Sequence, residues 1–344
     1  MAYTTIDNPV EYFNTVLYTG NGVDDRDITG LDFQPDMLWS KIRSGSDNHS
    51  IYDVVRGATK ELRPQSAGAE LIRTNNIQAL NSDGFQVGTD SQVNASGSTY
   101  VSWGWSAGGA GVSNTAGTIT STVSANTTAG FSIVSYTGNG SSGATVGHGL
   151  GATPAMIICK DRSAGEEWSV YHQSLTYTKY LVLETTAAAV TNSRFYQAPT
   201  SSLFYVSDSF GVNKNNDNYI AYCFAEVKGF SKFGSYTGNG NADGTFVYTG
   251  FKPAYLMIKQ SSAAGEGWHI LDNKRSGANG DMERLLANSA NAESNYSGLL
   301  DLVSNGFKTR TSDAGVNASG STYIYMAFAE NPFVSSTGIP TTAR

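Results

Sequence analysis

The pentapeptide Tyr-Thr-Gly-Asn-Gly occurs three times in this chain, at residues 18–22, 136–140 and 236–240. A tyrosine in a later apolar segment follows each copy at a similar distance. Tyr100, Tyr219 and Tyr323 lie 82 (100−18), 83 (219−136) and 87 (323−236) residues after the first residue of their motifs. Self-similarity at this spacing indicates three copies of one structural unit of roughly a hundred residues.

Between these landmarks the same kinds of segment return in the same order. Each copy has a buried apolar run (35–43, 154–162, 253–259), an alternating segment (50–54, 168–172, 268–272), a turn with a short strand (82–87, 207–212, 304–309) and an aromatic closing strand (99–105, 218–224, 322–328). Alternation with period 2 and enrichment in β-branched and aromatic residues predict strands. The exception is the segment 281–290, where Met282, Leu285 and Leu286 have helical spacing and predict a short loop helix.

The composition indicates the same fold class. Only 15% of the residues are charged and 38 of the 344 are glycine, whereas long helices are usually rich in charged residues and alanine. We predict an all-β protein of three tandem β-sandwich modules of a jelly-roll-like type. The predicted units are a first module with an N-terminal docking segment (1–109), a Gly/Ser/Thr linker or edge strand (110–130), a second module (131–229), a third module (230–333) and a C-terminal tail (334–344). Residues 1–13 and the tail are expected to dock on neighbouring subunits.

The Asn-Gly pair of each motif predicts a tight turn. A two-residue type I′ hairpin requires positive φ at both central positions, which asparagine and glycine tolerate. The predicted structural turn residues are Asn21, Gly22, Asn139, Gly140, Asn239 and Gly240. A turn that recurs in every copy is typical of a folding requirement and not of a ligand site.

Charge and hydropathy exclude several classes of partner. The formal net charge of −7 and the pI near 5.1 provide no positive field for a phosphate backbone, so we predict no nucleic-acid partner. The sequence has no apolar run of membrane-spanning length and no basic start followed by an apolar stretch, so neither membrane insertion nor a secretion signal is predicted. Cys159 and Cys223 lie in apolar runs and are expected to be buried thiols.

The sequence contains no recognisable catalytic or metal-binding pattern. Its four histidines lack metal-ligand spacing, and His172 aligns with Asp53 and Asp272, which predicts a polar, half-exposed position. The acid pairs 166–167 and 24–25 lie in polar loops, without a context for paired-acid catalysis. The loops 23–27 and 213–218 contain oxygen ligands that suit calcium, but neither follows an EF-hand register. We therefore predict that the protein is not an enzyme and has no catalytic, cofactor-binding or metal-binding residues.

The five tryptophans have two interpretations. Core packing is favoured, because Trp168 and Trp268 occupy equivalent positions in alternating strands. The alternative is stacking on sugar rings, and Trp103 and Trp105, two residues apart on one strand face, are the possible glycan-contact residues.

Longer stretches resemble a known family. They are SYTGNG with GATVGHGLGATPAMIICKDR (135–162), YCFAEVKGFSKFGSYTGNG (222–240), FVYTGFKPAYLMIK (246–259), TYIYMAFAENPF (322–333) and IYDVVRGATKEL (51–62). They are similar to a repeated domain of virion structural and tail-fibre proteins of marine tailed phages, including cyanophages. The resemblance implies a virion protein, assembled in the host cytoplasm, without catalytic residues to carry over.

The resemblance and the repeats together favour a tail fibre, a fibre tip or an adaptor in host attachment. The expected partners are other virion proteins, further copies of the chain with a homotrimer favoured, and a host surface glycan or protein. Three similar modules suit a multivalent binder, because weak sites add through avidity. The alternatives are a capsid decoration or head-knob protein and, less favoured, a polysaccharide-degrading tailspike, which requires two acids in one cleft.

Overall fold

The structure, a computed structural model, describes residues 4–276 and 279–332 and is almost entirely β, which confirms the predicted class. The predicted units 1–109, 131–229 and 230–333 are called the first, second and third repeat below. After a 3-10 turn at Pro9–Glu11, the first repeat contains β1 (Phe13–Thr19), β2 (Arg26–Thr29), β3 (Met37–Ile42), β4 (Ser50–Asp53), β5 (Lys60–Glu61), β6 (Leu71–Ile72), β7 (Ile77–Asn81), β8 (Gly84–Val87), the helical turn α1 (Ser91–Asn94) and β9 (Thr99–Trp105).

The remaining strands follow the same plan. Between the first two repeats lie β10 (Val112–Asn114) and β11 (Ser121–Asn126). The second repeat contains β12 (Phe131–Thr137), β13 (Ala144–Gly147), β14 (Pro154–Asp161), β15 (Ser169–His172), β16 (Lys179–Val182), β17 (Val190–Thr191), β18 (Leu203–Val206), α2 (Phe210–Asn213) and β19 (Asn218–Ala225). The third contains β20 (Ser231–Thr237), β21 (Phe246–Tyr248), β22 (Phe251–Gln260), β23 (Trp268–Asp272), β24 (Asp281–Leu286), β25 (Ser294–Ser297), β26 (Leu300–Val303), β27 (Gly306–Thr309) and β28 (Thr322–Pro332).

One strand order occurs in the main sheet of every repeat. It is β1-β9-β3-β4 in the first repeat, β12-β19-β14-β15 in the second and β20-β28-β22-β23 in the third. Strands β10 and β11 extend the second sheet beside β12, while β16 with β17 and β24 with β25 extend the second and third sheets at the other end. Each repeat also has a small outer sheet: β2-β8-β7, β13-β18 and β21-β27-β26. All these strand pairs are antiparallel.

Both faces of every main sheet are buried. In β3, for example, Leu38 faces a core that belongs to the first repeat, whereas Met37 and Trp39 face a central core. The second and third repeats have cores of their own in the same place, behind their small outer sheets. The apolar runs therefore show no hydrophobic alternation, as expected for strands that are buried on both sides.

The central core is shared by all three repeats. Its buried members include Trp39, Trp103 and Trp105 of the first repeat, Ile133, Met156 and Trp168 of the second, and Tyr255, Trp268 and Phe328 of the third. Because each repeat supplies one sheet face to this core, the apolar surface of any one repeat is covered by the other two. The division into three separate sandwich domains stays a prediction.

Two local predictions were wrong. Residues 281–286 form strand β24 and not a helix: Met282 packs in the core of the third repeat and Leu285 in the central core, on opposite faces of the strand. Their three-residue spacing reflects two cores, not one helix face. The segment 207–212 is not a turn with a strand either, because it leads into α2, and the strand of this repeat is β18.

The start of the described chain packs on the rest of the same chain. Ile6 is 1% exposed within the central core, and Thr4 and Pro9 are also buried. Apolar burial of Ile6 therefore holds residues 4–12 against their own chain. Residues 1–3 and the tail 334–344 lie outside the described residues, so docking of the tail on a neighbour stays a prediction.

Candidate functional site

The three Tyr-Thr-Gly-Asn-Gly motifs form turns of a different type from the one predicted. Only the last glycine has positive φ, with values of 71° at Gly22, 67° at Gly140 and 66° at Gly240. The asparagine side chain instead accepts a hydrogen bond from the backbone N–H two residues later, at 2.9 Å in the turn of Asn21 and at 2.9 and 3.0 Å in the other two. This is an Asx turn and not a type I′ hairpin.

Each turn is held by a buried asparagine that the sequence analysis did not single out. In the second repeat, Asn213 Oδ1 accepts a hydrogen bond from Asn139 N at 2.8 Å, and its backbone oxygen accepts one from Gly140 N at 3.0 Å. Asn94 and Asn317 make the same contacts in the other repeats. The signal was present, because each of these asparagines follows a valine shortly before the closing strand.

A stacked pair of tyrosines also binds the segment that precedes the closing strand. Tyr136 of the motif stacks on Tyr219 of the closing strand, with ring centroids 5.2 Å apart. The Tyr136 hydroxyl donates to Val212 O, and the Tyr219 hydroxyl donates to Phe210 O. The other repeats have equivalent stacked pairs. The motif therefore joins the first strand of each repeat to the loop before its last strand, which is an architectural role.

The first glycine of the motif supplies a mutational prediction. A Cβ atom on Gly138 would overlap the carbonyl oxygen of Lys214. We expect Gly138→Ala to lower the free energy of unfolding by at least about 1 kcal/mol, because the backbone contact must open. Gly165→Ala is the matched control, since the nearest atom to its Cβ would be 3.9 Å away. Equal stability of the two variants in urea unfolding would contradict this prediction.

Trp103 and Trp105 do not reach the surface. They are 0% and 1% exposed and lie in the central core, with ring centroids 5.9 and 5.6 Å from that of Tyr255. Neither ring offers a face to a sugar, so their proposed role in glycan contact is corrected to core packing. Trp39, Trp168 and Trp268 are also buried.

His172 is buried and not half-exposed. It is 0% exposed, and its Nε2 lies 3.2 Å from Tyr325 O of the third repeat. Burial lowers the pKa of His172 to about 4. The prediction failed because the side chain lies between two repeats, and the sequence does not show which positions face a neighbouring repeat.

The position of His172 is part of a ring of contacts between the repeats. Asp53 of the first repeat accepts a hydrogen bond from the Tyr222 hydroxyl of the second at 2.8 Å. Asp272 of the third accepts one from Trp103 Nε1 of the first at 3.0 Å. Together with the contact between His172 and the third repeat, these bonds link the first repeat to the second, the second to the third and the third to the first.

Buried ion clusters reinforce two of the three junctions. Between the first and second repeats, Arg56 is completely buried and contacts Asp53 at 2.5 Å and Glu70 at 3.1 Å. Arg162 of the second repeat contacts the same Glu70 at 2.9 Å. The carboxylates offset the cost of burying the guanidinium group, as a buried charge requires.

The junction of the third and first repeats has the same cluster. Arg275 contacts Asp272 at 2.5 Å and Glu293 at 2.9 Å, and Arg43 of the first repeat contacts Glu293 at 2.7 Å. Like Arg56, Arg275 has a side chain that is 0% exposed.

The junction of the second and third repeats lacks these charges. There the positions of Asp272, Arg275, Glu293 and Arg43 are occupied by His172, Leu175, Ala189 and Ser261, in that order. The backbone N–H of Ala189 donates to Ser261 O at 2.9 Å. The corresponding backbone bonds from Glu70 to Arg162 and from Glu293 to Arg43 measure 3.0 and 2.9 Å. The backbone contact is therefore present at all three junctions, while the side chains around it are ionic at two of them and uncharged at the third.

A buried lysine occupies one position in every repeat. Lys41, Lys160 and Lys259 are each 0% exposed and donate to backbone carbonyl oxygens. Lys160 also reaches Ala67 O of the first repeat at 2.9 Å. Burial lowers the pKa of each to about 8. Their repetition indicates a structural role, because a catalytic lysine would not be required three times.

The two cysteines are buried free thiols, as predicted. Burial raises the pKa of Cys159 to about 12 and also raises the pKa of Cys223. Because the thiolate is the reactive form, we expect almost no labelling of the native protein by iodoacetamide at about pH 8, and two labels per chain after unfolding. Rapid labelling of the folded protein, measured by intact mass, would contradict this expectation.

The described chain has shallow hollows on its surface. One hollow of about 380 Å³ is lined by Arg284, Leu286, Ser289, Asn291, Ala292 and Ser294. Of the acid pairs, Glu167 contacts Arg194 at 2.5 Å and Asp24 accepts from Gln78 at 3.0 Å. Within residues 4–276 and 279–332, no three His, Cys, Asp or Glu side chains are grouped to hold a metal ion. The same ranges contain no helix with the length and hydropathy needed to cross a membrane.

In the small outer sheets, strand β21 carries two exposed aromatic side chains. Phe246 and Tyr248 are 47% and 54% exposed, and they lie on one face of this edge strand. Opposite them on β27 are Lys308 and Gly306. This strand therefore exposes two aromatic side chains on one face of a sheet edge.

Comparison with known proteins gives one match. A family model described as a domain of unknown function, DUF7483, matches residues 8–332. No curated protein and no solved structure matches the chain.

Proposed function

The chain belongs to the DUF7483 family, a domain of unknown function whose model matches residues 8–332, and we propose that it is a structural protein of a tailed-phage virion, carried by a tail fibre, a fibre tip or an adaptor and engaged in host attachment. In this role the protein acts by shape and by surface contact and has no catalytic activity. Its partners are other virion proteins and a host surface glycan or protein.

The single observation that carries this proposal is that buried polar side chains form contacts between the repeats. The ion clusters, His172 and Lys160 each connect one repeat to another. A site for chemistry needs such groups in a cleft, whereas here they fix the repeats against one another. A rigid body of this kind suits a particle component that must keep its shape outside the cell.

The resemblance of the sequence to marine phage virion proteins supports the assignment to a particle. Within the particle, the three repeats favour the tail, because several weak sites on one protein can add through avidity. A capsid decoration or head-knob protein is the alternative. Association into a homotrimer is part of the proposal, and sedimentation of the purified chain measures it.

Immunogold labelling of intact virions of a phage that encodes this chain tests the proposal. We expect label at the tail tip or fibres, and we expect the purified chain to reduce adsorption of that phage to its host. Label on the head would favour the decoration role. Absence of the chain from purified virions by mass spectrometry would refute both roles, and release of reducing sugar from host envelopes would favour a tailspike.

A further inference from the structure

The second strand of each repeat lies at the edge of the small outer sheet. These strands are β2, β13 and β21, and each pairs through one side only with the strand β8, β18 or β27. Ile28, Val146 and Val247 are equivalent, because each is buried opposite a phenylalanine of the partner strand. The three edges can therefore be compared residue by residue.

In the second repeat a segment of the same chain covers this edge. Thr145 exchanges hydrogen bonds with Thr118, from Thr145 N to Thr118 Oγ1 at 2.9 Å and from Thr118 N to Thr145 Oγ1 at 2.8 Å. Ile119 N donates to Thr145 O at 3.0 Å, and Ser121 Oγ donates to Gly147 O at 2.9 Å. The side chain of Ile119 is buried in the core of this repeat.

In the first repeat the edge carries charge. Strand β2 has the sequence Arg-Asp-Ile-Thr at 26–29. The carboxylate of Asp27 accepts a hydrogen bond from Asn81 at 2.8 Å on the outer face of the sheet. Charged residues on an edge strand disfavour pairing with another chain, so this edge is protected without a cover.

Among residues 4–276 and 279–332, no segment covers the same edge in the third repeat, and strand β21 itself contains no charged residue. The register places the N–H and C=O groups of Val247 toward β27, consistent with the bond from Thr249 N to Asn305 O. Those of Phe246 and Tyr248 consequently point away from the sheet. These residues occupy the positions of Thr145 and Gly147, whose backbone oxygens residues 118–121 bind in the second repeat.

We propose that the open edge of β21 binds an extended segment of a partner polypeptide by strand addition. The second repeat indicates the chemistry of that segment: one β-branched apolar residue with threonine or serine on either side, as in residues 118–121. The apolar residue would lie beside Val247, as Ile119 lies beside Val146. Backbone hydrogen bonds then provide the affinity, as in other cases of β-augmentation. This inference is independent of the proposed function.

A peptide with the sequence of residues 115–122 (TAGTITST) is the probe. It omits Asn114, because in the second repeat that side chain lies against Gly147, where the third repeat has Tyr248. We expect saturable binding of the fluorescein-labelled peptide to the full chain by anisotropy. A peptide with aspartate in place of the isoleucine is expected to bind at least about tenfold more weakly, because the apolar contact is lost.

Phe246→Pro blocks the edge, because proline removes one outward N–H and leaves the bonds of Val247 intact. Asp27→Pro is the matched control, since Asp27 occupies the same position on the edge of the first repeat. Binding should fall at least about tenfold in the first variant and not in the second, with both variants equal in circular dichroism and thermal midpoint. Phe246→Thr is a second variant for the case in which Phe246→Pro lowers the thermal midpoint. It introduces the residue of the equivalent position 145 and keeps the outward N–H, so it should retain binding.

Several outcomes would overturn the proposal. One is absence of saturable binding, and another is binding that Phe246→Pro leaves unchanged. Sedimentation that shows a dimer dependent on Phe246 would assign the edge to a second copy. Binding that requires removal of residues 333–344 would assign it to the chain's own tail, and displacement of the peptide by glycans would assign it to a sugar.

Discussion

Replacing Arg275 with leucine is expected to lower the free energy of unfolding by about 3–5 kcal/mol, the largest single effect that we predict. The side chain is completely buried, and it neutralises Asp272 and Glu293 at the junction of the third and first repeats. Without it, the carboxylates of Asp272 and Glu293 remain inside the protein, and Arg43 neutralises only Glu293. Urea unfolding followed by tryptophan fluorescence measures the change.

Two comparisons make this prediction specific to burial. Arg310→Leu breaks a surface ion pair with Asp301, where the two side chains are 44% and 24% exposed, so it should cost less than about 1 kcal/mol. The second comparison copies the junction that has no charges, with Arg43→Ser, Asp272→His, Arg275→Leu and Glu293→Ala together. We expect this combination to recover more than half of the stability lost by Arg275→Leu alone, because it removes the two buried carboxylates together with the arginine that neutralised them. A combined variant that is less stable than the single one would contradict this explanation.

Acid is expected to destabilise the protein as the pH falls from about 7 to about 4, through its buried histidines. Burial lowers the pKa of His172 to about 4 and that of His269 to about 3, and it also lowers the pKa of His49 and His148. Between the folded value and the unfolded value of about 6.5, the unfolded chain binds more protons. The stabilisation from each neutral histidine is therefore complete above pH 6.5 and is lost as the pH falls toward the folded value. We expect His172 and His269 to contribute about 3 kcal/mol each to the difference between pH 7 and pH 4.

Carboxyl groups oppose this trend in part. Burial raises the pKa of Glu184 to about 7 and also raises the pKa of Asp36 and Asp161, so these groups favour the folded state as the pH falls. A comparison of variants separates the two effects. His269→Ser introduces the residue of the equivalent positions 50 and 169, and His172→Asn retains a donor for Tyr325 O. Each variant should show a smaller loss of stability from pH 7 to pH 4 than the parent chain, and an unchanged loss would refute the assignment.

Elements with a local signal could be predicted from the sequence. The three apolar runs became β3, β14 and β22, and the aromatic segments became the closing strands β9, β19 and β28. Their content of β-branched and aromatic residues is sufficient to identify a strand. The pairing of first and last strands in each repeat also agrees with the similar spacing of the motif tyrosines from their partners, which stack across that pair.

Features created by contact between repeats could not be predicted in this way. Whether Trp103 faces a sugar or a core depends on Tyr255, which is 152 residues away in the sequence (255−103). The burial of His172 depends on Tyr325 in the same manner. Asp53 and Arg56 have the same spacing as Asp272 and Arg275, but the sequence does not show that these ion pairs lie inside the protein.

The closed ring of junctions restricts how this chain can evolve. In a solenoid, a further repeat stacks on an open end and the array simply becomes longer. Here the third repeat returns to the first through Trp103 with Asp272 and Arg43 with Glu293, so no open end exists among these contacts. Duplication of one repeat would have to break a junction and widen the centre, which leaves a void among the tryptophans. New binding capacity is therefore expected to arise in outer loops and edges, while the number of repeats remains three.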